Sequence, residues 1–413
     1  MSERSERTDV TVSERSERTS AFVLTSEQEM LRDGLTKFLD KRYDLAASRS
    51  AVKTGAGWQP EIWRALAEDL GVLGAALPES AGGMGGGSTE LSIIAESLGR
   101  ALVVEPFIDT AVLGAGLLHR CGGERAAEVL SRIVDGTART AFAATETLAE
   151  LNAVATTAHR GIDAEGGGWV LDGAKTVVTS VPIATHLLVT ARTGGSSKDR
   201  DGISLFLLDL DPAAPPPGLT IHPLRTVDDR VAADLEFSGV RLPADALLGA
   251  EGGAWPVVER VVDEATAAVC AEAVGCMRTV LADTVEYTKQ RTQFGQPLSR
   301  FQVLQHRMVD MYIEVEQASA ATHLAMSALD APDGERARAV SAAKVTIARA
   351  ARFVGQNAVQ LHGGMGMTEE LAVGHYFKRL TAIEYEFGTA SAHLARYAGL
   401  TDPRLTDPRV VTD

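Results

Sequence analysis

Trp255-Pro256-Val257-Val258-Glu259-Arg260-Val261-Val262-Asp263-Glu264-Ala265-Thr266-Ala267-Ala268-Val269 opens the stretch that decides the fold. Val258, Val261, Val262, Ala265 and Val269 recur at the 3.6-residue spacing of one helix face, and Val274, Met277, Leu281 and Val285 continue it. A stripe of that length is a helix, not a strand. Similar stripes run from Gln302 to Leu329 and from Glu335 to Leu361. A few long helices joined by short loops imply a helical bundle reaching to about Ala398.

Upstream the pattern changes. From Ala141, short apolar runs alternate with turn residues: Trp169 to Leu171, Lys175 to Thr179, His186 to Ala191, Ser204 to Leu208 and Ala233 to Phe237. These read as strands of an antiparallel barrel or sandwich. Gly194 to Asp199 reads as a solvated loop between two of them, and Pro215-Pro216-Pro217-Gly218 must be a turn or an edge. Further upstream the period is helical again. Thr25 followed by Gln28 is a capping box, and Leu91, Ile94, Ala95 and Leu98 share a face between Thr89 and Arg100. Helices are also expected over Ile108 to His119 and Ala126 to Val134. Pro78 to Gly85 is a glycine-rich break. The SERSERT segment Ser2 to Thr8 recurs at Ser13 to Thr19 and has no core-forming residues, so a disordered tail is expected.

The chain is expected to divide into a tail (1–20), an N-terminal helical domain (21–140), a middle β domain (141–249), a C-terminal bundle (250–400) and a second tail (401–413). It has 413 residues, 45% of them hydrophobic, enough for a large core in two or three domains. The formal net charge of -15 disfavours nucleic acid and anionic membrane as partners. No apolar run long enough to span a bilayer is evident, and the polar N-terminus is no secretory signal. Cys121, Cys270 and Cys276 have no metal-binding spacing; buried free thiols, no metal and a reducing, cytoplasmic setting are expected.

Helical domain, strand domain and bundle, taken with four motifs, resemble the acyl-CoA dehydrogenase family over almost the whole chain. The motifs are Leu24-Thr25-Ser26-Glu27-Gln28, Pro78-Glu79 with Gly82-Gly83-Met84-Gly85, Arg291-Thr292-Gln293-Phe294-Gly295, and Gln360-Leu361-His362-Gly363-Gly364-Met365-Gly366. The run Gly374-His375-Tyr376-Phe377-Lys378-Arg379 is similar to small subunits of heteromeric members such as pimeloyl-CoA dehydrogenase. The resemblance implies a mostly α fold with a central antiparallel β-barrel and a C-terminal four-helix bundle. It also implies FAD, an acyl-CoA substrate, an electron-transfer acceptor, and a second subunit in a heterodimer, heterotetramer or homo-oligomer.

In the family, the adenosine and pyrophosphate end of FAD is held by a neighbouring subunit's segments. Arg291, Phe294, Gln302, Gln360, Gly363 and Gly364 match those positions. Arg291 offers a planar charged fork to phosphate, and the two glycines admit a phosphate close to backbone N–H groups. The plainer alternative pairs Arg291 with a carboxylate and leaves the glycines to turn the chain. The flavin-ring end is held by a subunit's own barrel. Phe142, Thr145 and Thr179 match there, with Thr389 after the base position. The expected glycine-rich loop, however, reads Thr147-Leu148-Ala149-Glu150-Leu151-Asn152, and the expected tryptophan is Val177.

Dehydrogenation needs a carboxylate to take the α-proton. The family's signature glutamate falls on Phe387, and Glu386 stands one residue earlier. The alternative helix position falls on Ala265, with Glu264 about 100° around the axis. Glu264 is otherwise expected on a solvated face. Asp263 matches an aspartate on the substrate-facing helix, but the arginine expected three residues later is Thr266. Four readings follow: a helper subunit lending half a flavin cradle to a partner, a self-sufficient flavoenzyme with a relocated base, a flavin-dependent desulfinase or monooxygenase, and a non-catalytic scaffold.

Overall fold

The computed structural model describes residues 24–146, 151, 153–161 and 167–402. The expected tail 1–20 lies outside these residues, as does the tail 401–413 apart from 401–402. So does the Thr147 to Asn152 replacement, except Leu151.

The N-terminal part is helical: α1 (Ser26–Arg42), α2 (Leu45–Thr54), α3 (Pro60–Glu68), α4 (Ser88–Arg100), α5 (Ala115–Cys121) and α6 (Glu124–Val134). The capping box opens α1: Thr25 Oγ1 accepts the Gln28 N–H at 3.3 Å and Gln28 Oε1 accepts the Thr25 N–H at 3.0 Å. The expected helix from Ile108 starts as a π-helix, Ile108–Gly114, before relaxing into α5. That wider turn carries Asp109 toward the sheet.

The sheet comprises β1 (Thr140–Ala143), β2 (Thr157–Gly161), β3 (Gly168–Thr179), β4 (His186–Arg192), β5 (Ile203–Asp209), β6 (Leu219–Arg225), β7 (Val231–Leu242) and β8 (Leu247–Leu248). Their order is β6-β7-β3-β2-β4-β5-β8, mostly antiparallel, with β1 parallel to β4. The two strands expected at Trp169 and Lys175 are one strand, β3, kept continuous through two irregularities in its register with β7. β4 and β5 are buried on both faces. Leu187, Val189, Phe206 and Leu208 fill the inner core of the sheet, whereas Leu188, Leu205 and Leu207 pack on the helices. That accounts for their unbroken apolar runs.

The C-terminal part holds α7 (Trp255–Gln290), α8 (Gln302–Ser327), α9 (Asp333–His362), α10 (Ala372–Tyr385) and α11 (Ala390–Thr401). By length and composition α7 could cross a membrane, contrary to the expectation that no run is long enough. Its most apolar window is 83% buried in the fold, so its hydrophobicity serves the core. α4 and α7 cross backbone to backbone at Gly99 and Gly275. A Cβ on Gly99 would sit 2.1 Å from the Glu272 carbonyl oxygen, and one on Gly275 would sit 2.0 Å from that of Glu96. Only glycine permits that approach, and it brings Glu272 to the centre of the molecule. Cys270 and Cys276 are buried as expected, but Cys121 is only half-buried. Burial pushes the Cys121 thiol up to about 11 and that of Cys270 to about 12, so neither is a nucleophile at neutral pH.

Candidate functional site

An open cleft of about 540 Å³ lies where α7 ends, α8 begins and α9 ends. Arg291, Gln360, Gly363 and Gly364 line it together. Arg291 is the C-cap of α7, its N–H bonded to the Tyr287 carbonyl at 2.8 Å. Among the described residues no carboxylate pairs with its exposed guanidinium, so the plainer alternative for Arg291 does not hold. Gly363 has φ +60° and ends α9, which is the turning role; a Cβ on either glycine would meet nothing within 4 Å. Tyr287 and His362 stack at 4.3 Å beside them. A diphosphate suits this donor set: free guanidinium, amide and unobstructed backbone.

Phe294 and Gln302 are not in that lining. Thr292–Gln293 and Gln296–Pro297 form a two-residue hairpin whose central residues, Phe294 and Gly295, have φ of +52° and +78°. Positive φ at both positions is a type I′ turn, favoured because its twist matches the strands. The turn throws Phe294 outward, 91% exposed, edge-on to Phe301 with ring centroids 6.2 Å apart. Gln302 is exposed at the start of α8. Two further lining residues, Tyr287 and Arg307, lie outside the motifs read from the sequence, and His362 lies within one without a role assigned to it. No motif marks Arg307, which lies five residues past Gln302 and about 140° around the helix.

The flavin-ring half is different. Thr179 donates its hydroxyl to Asp109 Oδ1 at 2.8 Å, and the Ser180 hydroxyl donates to the other oxygen of the same carboxylate. Burial raises the Asp109 carboxyl above its ordinary range, against those two hydroxyls. Val177 has φ +49°, a strained conformation for a β-branched residue, with its N–H donated to Asp234 Oδ1 at 2.7 Å. Thr145 is exposed, and its carbonyl accepts the Thr176 N–H at 2.8 Å. Next to it, Glu146 binds the buried Lys175 ammonium at 2.7 Å. Burial lowers Lys175 to about 8 against the pull of Glu146. The threonine hydroxyl and the Val177 backbone are thus already committed within the chain, and this half does not fit a flavin as the first half fits a diphosphate.

The base position sits in a tightly held loop. Phe387 has φ +56°, and its carbonyl accepts from the His393 ring at 2.9 Å. The Lys344 ammonium, buried in the bundle, reaches the carbonyls of Ile383, Glu384 and Gly388 at 2.7, 3.1 and 3.0 Å. Thr389 caps α11, accepting the Ala392 N–H at 3.2 Å. Glu386 lies against Arg379, at 2.5 and 3.0 Å. Arg379 also holds Glu272 at 2.7 and 2.8 Å and Asp228 at 3.0 Å, while Arg230 reaches Glu272 at 2.7 Å. Burial would raise the Asp228 and Glu272 carboxyls, yet Arg379 and Arg230 hold both below their ordinary range.

The solvated face expected for Glu264 is not what forms. Its side chain is 14% exposed and meets Arg120 at 2.6 Å and Arg260 at 3.4 Å. Burial raises its carboxyl, against both arginines. Asp263 is fully enclosed between Arg336 at 3.1 Å and Arg396 at 2.5 Å, tying α7 to α9 and α11. Ala265 and Thr266 are buried, and Thr266 returns its hydroxyl to the Val262 carbonyl.

Comparison with known proteins agrees across the chain. Family models for the acyl-CoA dehydrogenase N-terminal, middle and C-terminal domains match residues 25–137, 141–240 and 252–398. Acyl-CoA dehydrogenase FadE12 of Mycobacterium tuberculosis is 31% identical over 371 residues, 86% of this chain and 90% of that one. The Tcur3481-Tcur3483 steroid ACAD superposes with a TM-score of 0.80 at 30% identity, covering 92% of this chain and 99% of that one. The ChsE4-ChsE5 complex from Mycobacterium tuberculosis gives 0.80 at 27% identity over the same shares.

Proposed function

Given that this chain belongs to the acyl-CoA dehydrogenase family, we propose that it is a helper subunit whose cleft completes the FAD site of a partner subunit. The activity class is FAD-dependent oxidation of a CH–CH bond in an acyl-CoA thioester. FAD, when bound, supplies the hydride acceptor. Arg291 would hold its pyrophosphate, with Gln360 and the Gly363–Gly364 backbone beside it. The outward phenyl of Phe294 and the exposed Gln302 would meet the partner. The partner would supply its own barrel and the base that takes the α-proton. The acceptor of the electrons and a cytoplasmic setting belong to the same proposal.

One contrast carries this reading. The Arg291 guanidinium is exposed and unpaired among the described residues, whereas the Thr179 hydroxyl is spent on Asp109 and Phe387 offers no carboxylate. Two of the similar structures are named as pairs, Tcur3481-Tcur3483 and ChsE4-ChsE5, which favours a two-chain assembly. The test is a flavin absorbance spectrum of the chain expressed alone and with the product of a neighbouring gene. A colourless chain that joins a yellow complex supports the helper role; a chain yellow by itself overturns it.

A second reading has one observation behind it. Glu264 is partly buried beside Ala265, and burial raises its carboxyl as a general base requires. In that case the chain alone would turn over acyl-CoA, and Glu264→Gln would abolish the turnover.

A further inference from the structure

We infer that Arg307 is a second phosphate-holding cation of the cleft, so that the chain grips a nucleoside diphosphate with two guanidinium forks. The inference rests on the reading that the cleft takes a pyrophosphate, and it adds a residue that no motif marks.

Arg291 and Arg307 come from different helices and line the same space. The twelve lining residues include no aspartate or glutamate. Arg307 is half-buried, and among the described residues its side chain has neither an ion pair nor a hydrogen bond. Six other arginines that are not exposed, Arg120, Arg125, Arg230, Arg336, Arg379 and Arg396, are each paired with at least one carboxylate. Half-buried Arg132, like Arg307, has no such pair among the described residues, but its own cleft carries Glu128, Asp209 and Asp211. In a chain with 55 acidic and 40 basic residues, two unneutralised guanidiniums facing one cleft call for an anion between them. A single phosphate can be served by one planar fork; a second fork suits a second phosphate. The glycines at 363 and 364 leave the approach unobstructed.

The test is calorimetric titration of ADP and AMP into flavin-stripped protein, with any co-purifying partner kept in place. The native protein should prefer ADP to AMP by about tenfold, the value of one charge-assisted contact. Arg307→Ala should weaken ADP about tenfold and AMP about twofold at most, and Arg307→Lys, which keeps charge without the fork, should recover only part. Far-ultraviolet circular dichroism should be unchanged in both. If Arg291→Ala weakens ADP but Arg307→Ala leaves it within about twofold, the second fork is wrong and the cleft reading stands. If neither substitution matters, or the native protein ignores millimolar ADP, both fall.

Discussion

Arg379 meets the carboxylate of Glu386 through two N–H···O contacts of 2.5 and 3.0 Å, on the residue next to the one that would carry the base. Both oxygens of this carboxylate are engaged by a buried guanidinium, which makes Glu386 a structural partner of Arg379. Glu386→Gln should therefore leave turnover of an assembled complex within about threefold, since loss of a true general base costs about 10²-fold or more. The same change should lower stability by on the order of 1 to 2 kcal/mol, because it weakens a partly buried charged hydrogen bond. Steady-state acyl-CoA oxidation with an artificial acceptor and a urea melt measure the two effects. A hundredfold loss of turnover with stability intact would make Glu386 the base.

Glu105 offers a pH test of the helical core. Its Oε1 accepts the Gln59 N–H at 2.9 Å, while its buried Oε2 has no hydrogen-bond partner among the described residues. Burial raises this carboxyl to about 7 from an ordinary 4.5. Between those values the folded protein keeps a proton that the unfolded chain has released. Stability should therefore fall as pH rises through that window, by on the order of 3 kcal/mol from this group. Glu105→Gln cannot ionise and should flatten that slope relative to the native protein. Denaturant midpoints from pH 5 to pH 8 read the difference; parallel curves would show that Glu105 is not the group responsible.

Val177 sits at φ +49° and is 53% exposed, so its strain is not offset by deep burial. Asparagine tolerates the left-handed region far better than a β-branched residue. Val177→Asn should raise stability by about 1 kcal/mol, read as a shift in denaturant midpoint without change in slope. An unchanged or lower midpoint would mean that Val177 makes compensating contacts.

Much of the fold was legible because burial writes itself into spacing. The stripe from Val258 to Val285 is the buried face of α7, and the Thr25 and Gln28 pair caps α1 as read. The β3 strand was split because Asp172 and Gly173 look like a turn, whereas they sit at a register irregularity inside one ladder. The cleft was half legible. Arg291, Gln360, Gly363 and Gly364 converge as their motifs implied, but Phe294 points away, since the hairpin's backbone conformation decides its direction. Glu264 was misplaced for a different reason. Its acidic neighbours suggested solvent, while the arginines that enclose it, Arg120 and Arg260, lie on different helices, and helix spacing reveals only Arg260.

The two halves of the cradle can be separated by a pair of substitutions. Arg291→Ala removes an exposed cation without a protein partner among the described residues, so it should lower FAD content of the complex, by on the order of 2 kcal/mol in binding, and leave the melting temperature of the flavin-free protein unchanged. Thr179→Val strips a donor from the partly buried Asp109 carboxylate. It should cost about 1 to 3 kcal/mol of stability and leave FAD content unchanged. The reverse pattern would place the flavin in this chain's own barrel.

The most direct measurement is the flavin count per chain in the purified assembly. Protein is quantified by amino-acid analysis and FAD by absorbance after acid release. If this chain lends its cleft and its own barrel holds nothing, the complex should carry one FAD for each pair of this chain and its partner, and the chain alone should carry none. One FAD per chain, whether in a homomer or on both members of the pair, would contradict the helper account and return the chemistry to this chain.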